Sequence, residues 1–103
     1  MINLRNETIA AVTEAGKRPD DITYIGDKTH SYSWSRFLRA ANWEYNNGYG
    51  GAYVNRGLVI LFTDGSWLER GEYDGSEWWE YKHCPTVPEG HTPDNQLVLF
   101  PTD

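Results

Sequence analysis

Residues 58–82 read LVILFTDGSWLERGEYDGSEWWEYK, and this stretch contains two Asp-Gly pairs ten residues apart, Asp64-Gly65 and Asp74-Gly75. Asp-Gly between runs of β-branched and aromatic residues is the strongest short signal for a β-hairpin, because a type I′ turn needs positive φ at both central residues. Two hairpins in series form a meander. The stretch therefore predicts three antiparallel strands over about residues 58–82.

Two-residue turns would also fix the register of this meander. They pair Leu61 with Leu68 across the first turn and Arg70 with Trp79 across the second. In this register Arg70 is diagonal to Glu77, so an ion pair with Glu77 and a cation–π contact with Trp79 are expected to hold it. We interpret Arg70 as a structural residue.

The same register assigns each side chain to a face of the sheet. One face carries Val59, Leu61, Leu68, Arg70, Glu72, Glu77, Trp79 and Tyr81. The other carries Leu58, Ile60, Phe62, Trp67, Glu69, Gly71, Trp78 and Glu80. Glu69 lies opposite Glu80 on this second face, and Trp78 lies over Gly71. Because neither face is polar, we expect helices to cover one face and loops to cover the other, unless it stays open as an aromatic and acidic platform.

A polar residue caps each of the two predicted helices. Asn3 or Asn6 begins the first, which runs to about residue 15 and has Ile9 and Val12 on its apolar side. Ser33 begins the second, and its apolar stripe comprises Trp34, Phe37, Leu38, Ala41 and Tyr45. Short strands are predicted over residues 22–25 and 96–100. These elements predict an α+β fold, with an antiparallel sheet built on the meander and two α-helices packed on it.

The chain has 103 residues, which is enough for a single domain over residues 1–103 but too few for a second core. Cys84 is its only cysteine and excludes an internal disulfide. No apolar run resembles a signal peptide or approaches the roughly 18 residues of a membrane helix. We therefore expect a cytoplasmic protein with no membrane partner.

The net charge of −6 is unevenly distributed. Residues 1–56 contain seven Lys or Arg and six acidic residues, whereas residues 57–103 contain two Lys or Arg and nine acidic residues. An acidic surface repels nucleic acid and attracts proteins that bind it, because long-range charge selects partners. The alternative interpretation is that this acidic face only keeps the protein soluble, which explains the same charge distribution.

Motifs for catalysis or cofactor binding are weak in this sequence. Glu69 and Glu80 resemble the paired acids of a glycosidase, but directly opposed strand positions are too close, and the chain is too short to wall a saccharide cleft. His83, Cys84 and His91 do not have the spacing of zinc ligands. We therefore expect no enzymatic activity, no cofactor and no metal.

Several segments resemble a family of small proteins carried by bacteriophages and prophages. The resemblance covers GKRPDDITYIG (16–26), GYGGAYV (48–54) and the tail, and its specific part is WLER (67–70) with EYDGSEWWEYK (72–82). Small acidic phage proteins of this size include inhibitors of host defence, among them anti-CRISPR proteins. The resemblance implies a phage protein in the host cell cytosol and transfers no catalytic residues.

These observations predict a binding protein that inhibits a host defence effector, such as a CRISPR complex, by covering its basic nucleic-acid-binding surface. The partner is then a protein, with no direct contact to nucleic acid. The candidate partner-binding residues are Asp64, Glu69, Glu72, Tyr73, Asp74, Glu77, Trp78 and Glu80.

Two alternative functions stay open on the sequence. One is a structural or accessory phage protein that self-associates, for example as a homodimer through an open sheet edge. The other is a small carbohydrate-binding or nucleotide-binding module, in which Tyr49, Tyr53 and the tryptophans form a stacking platform. Tyr49 and Tyr53 belong to a glycine-rich stretch, residues 46–57, which we interpret as a connection or a binding loop.

Overall fold

The computed structural model describes residues 1–48, 53–86 and 89–90, and the fold is α+β as predicted. The elements in chain order are β1 (Ile2–Asn3), α1 (Leu4–Glu14), a 3-10 turn (Pro19–Asp21), β2 (Ile22–Gly26), α2 (Trp34–Ala40), β3 (Glu44–Tyr45), β4 (Val59–Phe62), β5 (Trp67–Tyr73) and β6 (Ser76–Lys82). The predicted strand at residues 96–100 lies outside the described residues.

The predicted meander forms the larger part of a four-stranded antiparallel sheet. The strand order is β2-β4-β5-β6, so β2 joins the meander as an edge strand beside β4. A second, two-stranded sheet joins β1 to β3. No helix occurs between residues 67 and 82, which are strand apart from the Asp74-Gly75 turn.

The second hairpin has the predicted two-residue turn. Asp74 has φ 51° and Gly75 has φ 84°, so both central residues adopt the positive φ that a type I′ turn requires. Arg70 pairs with Trp79, and Glu69 pairs with Glu80, as the predicted register places them.

The first hairpin differs from the prediction by one residue. Leu61 pairs with Trp67 rather than with Leu68. The Phe62 N–H donates to the Ser66 carbonyl at 2.9 Å, which closes a three-residue loop in which only glycine, at φ 88°, has positive φ. The Asp64 carboxylate accepts from the Ser66 N–H at 2.9 Å and so favours the longer loop.

This shift changes which face of the sheet each β4 residue occupies, because side chains alternate along a strand. Ile60 is paired with Leu68 and lies beside it in the core, with exposures of 0% and 2%. Val59 and Leu61 lie on the opposite face with Trp67, and Leu61 is 39% exposed. The face that carries Leu68 therefore holds Ile60 and Phe62 in place of Val59 and Leu61, which the predicted register put beside Leu68.

Helix α1 begins at the predicted cap, since the Asn3 side chain accepts from the Asn6 N–H at 3.1 Å. It ends near Gly16, which has φ 74°. Its buried residues are Leu4, Thr8 and Val12. Ile9, predicted to be on the apolar side, is exposed because the stripe at intervals of four residues faces the core instead.

Helix α2 begins at Ser33 as predicted, with the Ser33 hydroxyl accepting from the Arg36 N–H at 3.3 Å. It is shorter than predicted, because the carbonyls of Ala41 and Trp43 turn to accept from the first N–H groups of α1. Tyr45 consequently lies in β3, where it is still buried. The main core comprises Leu4, Val12, Ile25, Phe37, Ala41, Tyr45, Val54, Leu58, Ile60, Phe62 and Leu68.

Candidate functional site

The sheet has one face that neither helix covers. The helices pack on the face that carries Ile25, Ile60 and Leu68. The opposite face of β5 and β6 carries Trp67, Glu69, Gly71, Trp78, Glu80 and Lys82, together called the open face here. These side chains give the surface an aromatic and acidic character.

A Trp-x-Glu pattern occurs once on each strand of the open face. Trp67 is followed by Glu69 on β5, and Trp78 by Glu80 on β6. The register places Glu69 directly opposite Glu80, with an indole diagonal to the pair on each side. The local two-fold symmetry of an antiparallel strand pair therefore relates the two halves of this surface.

Each carboxylate of the opposed pair accepts a hydrogen bond from the indole of its own strand. The Trp67 Nε1–H donates to Glu69 Oε1 at 2.7 Å, and the Trp78 Nε1–H donates to Glu80 Oε1 at 3.0 Å. Lys82 lies 3.3 Å from Glu80 Oε2 and pairs with it. These donors offset part of the repulsion between the carboxylates, and they hold both groups on the sheet.

Gly71 creates the space for one of these indoles. A Cβ atom at this position would lie 2.6 Å from Trp78 Nε1, closer than side chains tolerate. The indole therefore covers bare backbone, as the register of the second hairpin predicts. Trp78 and Glu80 adopt their arrangement because position 71 has no side chain.

The remaining predicted site residues lie outside the six positions of the open face. Tyr73, which is 76% exposed, and Asp74 lie together at the tip of the β5–β6 hairpin. Glu72 forms an ion pair with Arg56 at 3.2 Å. Each of these three residues is accessible, but only the open face combines aromatic rings with opposed carboxylates.

Asp64 has structural partners at the other end of the sheet. Its carboxylate lies 2.5 Å from Lys17 Nζ and also accepts from Ser66. The hydrogen bond from Lys17, followed by those from Ser66, holds the pKa of the Asp64 carboxyl well below its ordinary value. The same hydrogen bond is the main cause that raises the pKa of Lys17. Asp64 is thus already paired within the chain.

Glu77 is a predicted partner-binding residue, and this prediction is wrong. The residue is buried, with 3% exposure. Its carboxylate lies 3.0 Å from Arg70 Nη2 and accepts from the backbone N–H groups of Tyr53 and Val54 at 2.5 and 3.1 Å. Glu77 is buried because of a contact between distant parts of the chain. The backbone N–H groups of residues 53 and 54 need hydrogen-bond acceptors, and this carboxylate provides them. Glu77 therefore holds the fold together and does not face a partner.

Arg70 has the structural role predicted for it. Its guanidinium carbon lies 5.0 Å from the Trp79 ring centroid, and Nη1 lies 3.5 Å from Glu7 Oε2. Arg70 Nη2 also donates to the Tyr45 hydroxyl at 2.9 Å. Burial, followed by the hydrogen bond to Glu7, raises the pKa of Tyr45 above its ordinary value.

Sequence reasoning missed Trp67 as a site residue, although it placed Trp67 on the correct face. The signal was present as the repeated Trp-x-Glu pattern at residues 67–69 and 78–80. Leu61 and Val59 extend the apolar part of the open face. The two-residue turn that the sequence predicts places them on the opposite face, because it is one residue shorter than the observed loop.

No metal site is evident among the described residues. They contain no group of three His, Cys, Asp or Glu residues that could hold a metal ion. Cys84 is free and exposed, and His91 lies outside the described ranges. No helix in residues 1–48, 53–86 and 89–90 has the length and apolar character needed to cross a bilayer.

Comparisons with known protein families, with curated proteins and with solved structures give no match to this chain.

Proposed function

We propose that this chain is a binding protein that docks the open face onto a basic surface of another protein. In the phage setting that the sequence resemblance implies, the partner is a nucleic-acid-binding defence effector of the host, such as a CRISPR complex, and docking inhibits it. The protein acts by occupying the surface and performs no chemical step.

The observation that supports this proposal best is the pair of opposed carboxylates between two indoles. Glu69 and Glu80 are held in place by Trp67 and Trp78 at hydrogen-bond distances of 2.7 and 3.0 Å. Carboxylates offer a guanidinium two oxygens in one plane, and indole faces attract cations. A partner arginine or lysine that sits between the rings would neutralise a charge pair that otherwise costs stability.

The exposed hairpin tip extends this surface at one end. Tyr73 and Asp74 are exposed there, and Tyr and Trp supply rigid contact area at low entropic cost. The buried Glu77 and the paired Asp64 are left out of the proposed contact.

Self-association through a sheet edge is the second candidate. In the part of the chain that the structure describes, β6 has a strand partner only on the β5 side. An edge of this kind pairs with strands of other chains. A dimer of this type would form in a concentration-dependent way without any host protein.

The experiment compares capture from a bacterial lysate by three immobilised forms of the protein. They are the parent, Glu69→Gln/Glu80→Gln on the open face, and Glu14→Gln/Glu44→Gln as a matched control. The control removes the same charge from two exposed positions off the open face.

We expect a nucleic-acid-binding protein to be retained by the parent and the control and lost by the open-face variant. Equal loss of the captured protein from both variants would show that capture depends on the net charge of the chain and not on the open face. Retention by all three would contradict the proposal. A parent that captures no host protein, but whose sedimentation depends on its concentration, would favour self-association.

A further inference from the structure

A second surface, on exposed helix α2, carries unpaired positive charge. Arg36 and Arg39 lie one helical turn apart and, with Tyr32 and Ala40, line an open cleft of about 480 Å³. Neither guanidinium forms an ion pair within the described residues, and no described acidic residue lines the cleft. The cations that do pair with carboxylates are Lys17, Arg56, Arg70 and Lys82. This cleft therefore concentrates positive charge on a protein whose net charge is −6.

An apolar groove of about 200 Å³ adjoins the cleft, since Tyr32 and Ala40 line both. Trp43 contributes an aromatic wall and is 39% exposed. The apolar floor comprises Leu4, Phe37, Ala41, Val54 and Leu58. A ligand that spans both spaces would meet two guanidinium groups at one end and aromatic surface at the other.

The two exposed aromatic side chains of this site are held by the core. Tyr32 makes an edge contact with Phe37 at 6.4 Å between ring centroids, and Trp43 makes one with Tyr45 at 5.4 Å. The Tyr32 N–H also donates to the Ile25 carbonyl at 2.8 Å. Rings that are fixed before a ligand arrives lose little entropy when it binds.

We propose that the cleft and groove together bind a mononucleotide, with its phosphates on Arg36 and Arg39 and its base against Tyr32 and Trp43. Arginine matches phosphate oxygens through paired N–H groups, and bases stack on aromatic side chains. Ligand sites typically combine a largely apolar wall with a few placed polar groups, as here. This proposal is independent of the partner-binding role of the open face.

Charge decides between a mononucleotide and a nucleic acid strand. A strand is bound mainly through many phosphate contacts, whereas this cleft offers two arginines on a chain of net charge −6. Long-range repulsion therefore disfavours a polyanion, while two local cations still satisfy the phosphates of a small ligand. The site fits a nucleoside phosphate of a few charges.

The test is calorimetric titration of the full chain with adenosine triphosphate. Inorganic tripolyphosphate, adenosine and a short single-stranded oligonucleotide serve as comparison ligands. The variants are Arg36→Gln/Arg39→Gln and, as a matched control, Arg18→Gln/Lys28→Gln, which removes two exposed cations that lie off the cleft. All four positions are exposed, so melting temperatures should stay near that of the parent.

We expect saturable binding of adenosine triphosphate that the cleft variant weakens at least about tenfold, because hydrogen bonds to charged groups are the strong ones. The control should bind as the parent does. Tyr32→Leu should weaken binding of adenosine triphosphate while leaving binding of tripolyphosphate unchanged. Absence of saturable binding at millimolar ligand, equal losses in both double variants, or tighter binding of the oligonucleotide than of adenosine triphosphate would each overturn the proposal.

Discussion

The buried carboxylate of Glu77 accepts hydrogen bonds from Arg70 and from the backbone N–H groups of Tyr53 and Val54. Removal of one member of a buried ion pair leaves an uncompensated charge, which costs about 3–5 kcal/mol. We expect Glu77→Ala to lower the free energy of unfolding by this amount in a urea titration. Glu72→Ala removes the half-buried partner of the exposed Arg56 and should cost less than about 1 kcal/mol. Equal losses would contradict the structural role of Glu77.

At position 71 a methyl group would displace the indole of Trp78, because Cβ would lie 2.6 Å from Trp78 Nε1. We expect Gly71→Ala to cost about 1 kcal/mol or more and to change the near-ultraviolet circular dichroism of the tryptophans. Gly48→Ala is the matched control, since no atom of the described residues lies within 4 Å of a Cβ atom there. Identical spectra for the parent and both variants would show that the Trp78–Glu80 arrangement does not depend on Gly71.

The two hairpins of the meander differ in how much local sequence determines them. Asp74-Gly75 forms the predicted turn because both residues tolerate positive φ. Asp64-Gly65 forms a longer loop because the Asp64 carboxylate bonds to Ser66 and to the distant Lys17. The predicted register is therefore correct for β5 with β6 and shifted by one residue for β4.

Both turns nevertheless place glycine at positive φ, 88° at Gly65 and 84° at Gly75. A β-branched residue resists this conformation, which costs about 1–3 kcal/mol. We expect Gly65→Val and Gly75→Val each to lower the melting temperature clearly, by differential scanning calorimetry. Gly48→Val should have little effect, because this glycine has no positive φ and no atom of the described residues lies within 4 Å of its Cβ position. An unchanged melting temperature for the two turn variants would rule out these turn types.

Across the whole molecule, most contacts close in sequence were predictable, with the first hairpin as an exception, whereas those between distant segments were not. The α+β class, both helix caps and the Glu69–Glu80 pairing follow from local spacing. The burial of Glu77 depends on the segment at residues 53–54, more than twenty positions away, and no local pattern marks it. The part of the open face on β5 and β6 was predictable from the sequence. The prediction was incomplete on β4, because it placed Leu61 on the other face.

Acid stability should depend on carboxylates whose pKa values folding lowers. Asp27 accepts from the backbone N–H groups of Thr29 and His30, which hold its pKa well below the ordinary 3.8, and Asp64 is lowered chiefly by Lys17. A lowered pKa in the folded state contributes stability above the unfolded value, and this contribution shrinks as the pH falls below about 4 and disappears only when the pH passes below the lowered folded-state pKa. We expect Asp27→Asn/Asp64→Asn to reduce the free energy of unfolding at pH 7 and to show a clearly smaller deficit at pH 2.

The measurement is urea unfolding at both pH values. Asp20→Asn, at an exposed residue without an ion pair in the described chain, is the control. A deficit in the double variant that persists unchanged at pH 2 would show that charge on these carboxylates is not its cause.

The most direct test of the open face as a binding surface is the salt dependence of affinity for the captured partner, measured for the parent and for Glu69→Gln/Glu80→Gln. The parent should bind tightly at low salt and lose affinity steeply as salt rises, because charge between exposed groups is screened. The variant should bind more weakly at low salt, depend less on salt, and approach the parent at high salt. Equal affinity of the two proteins at low salt would contradict the account and leave the open face as a solvated surface.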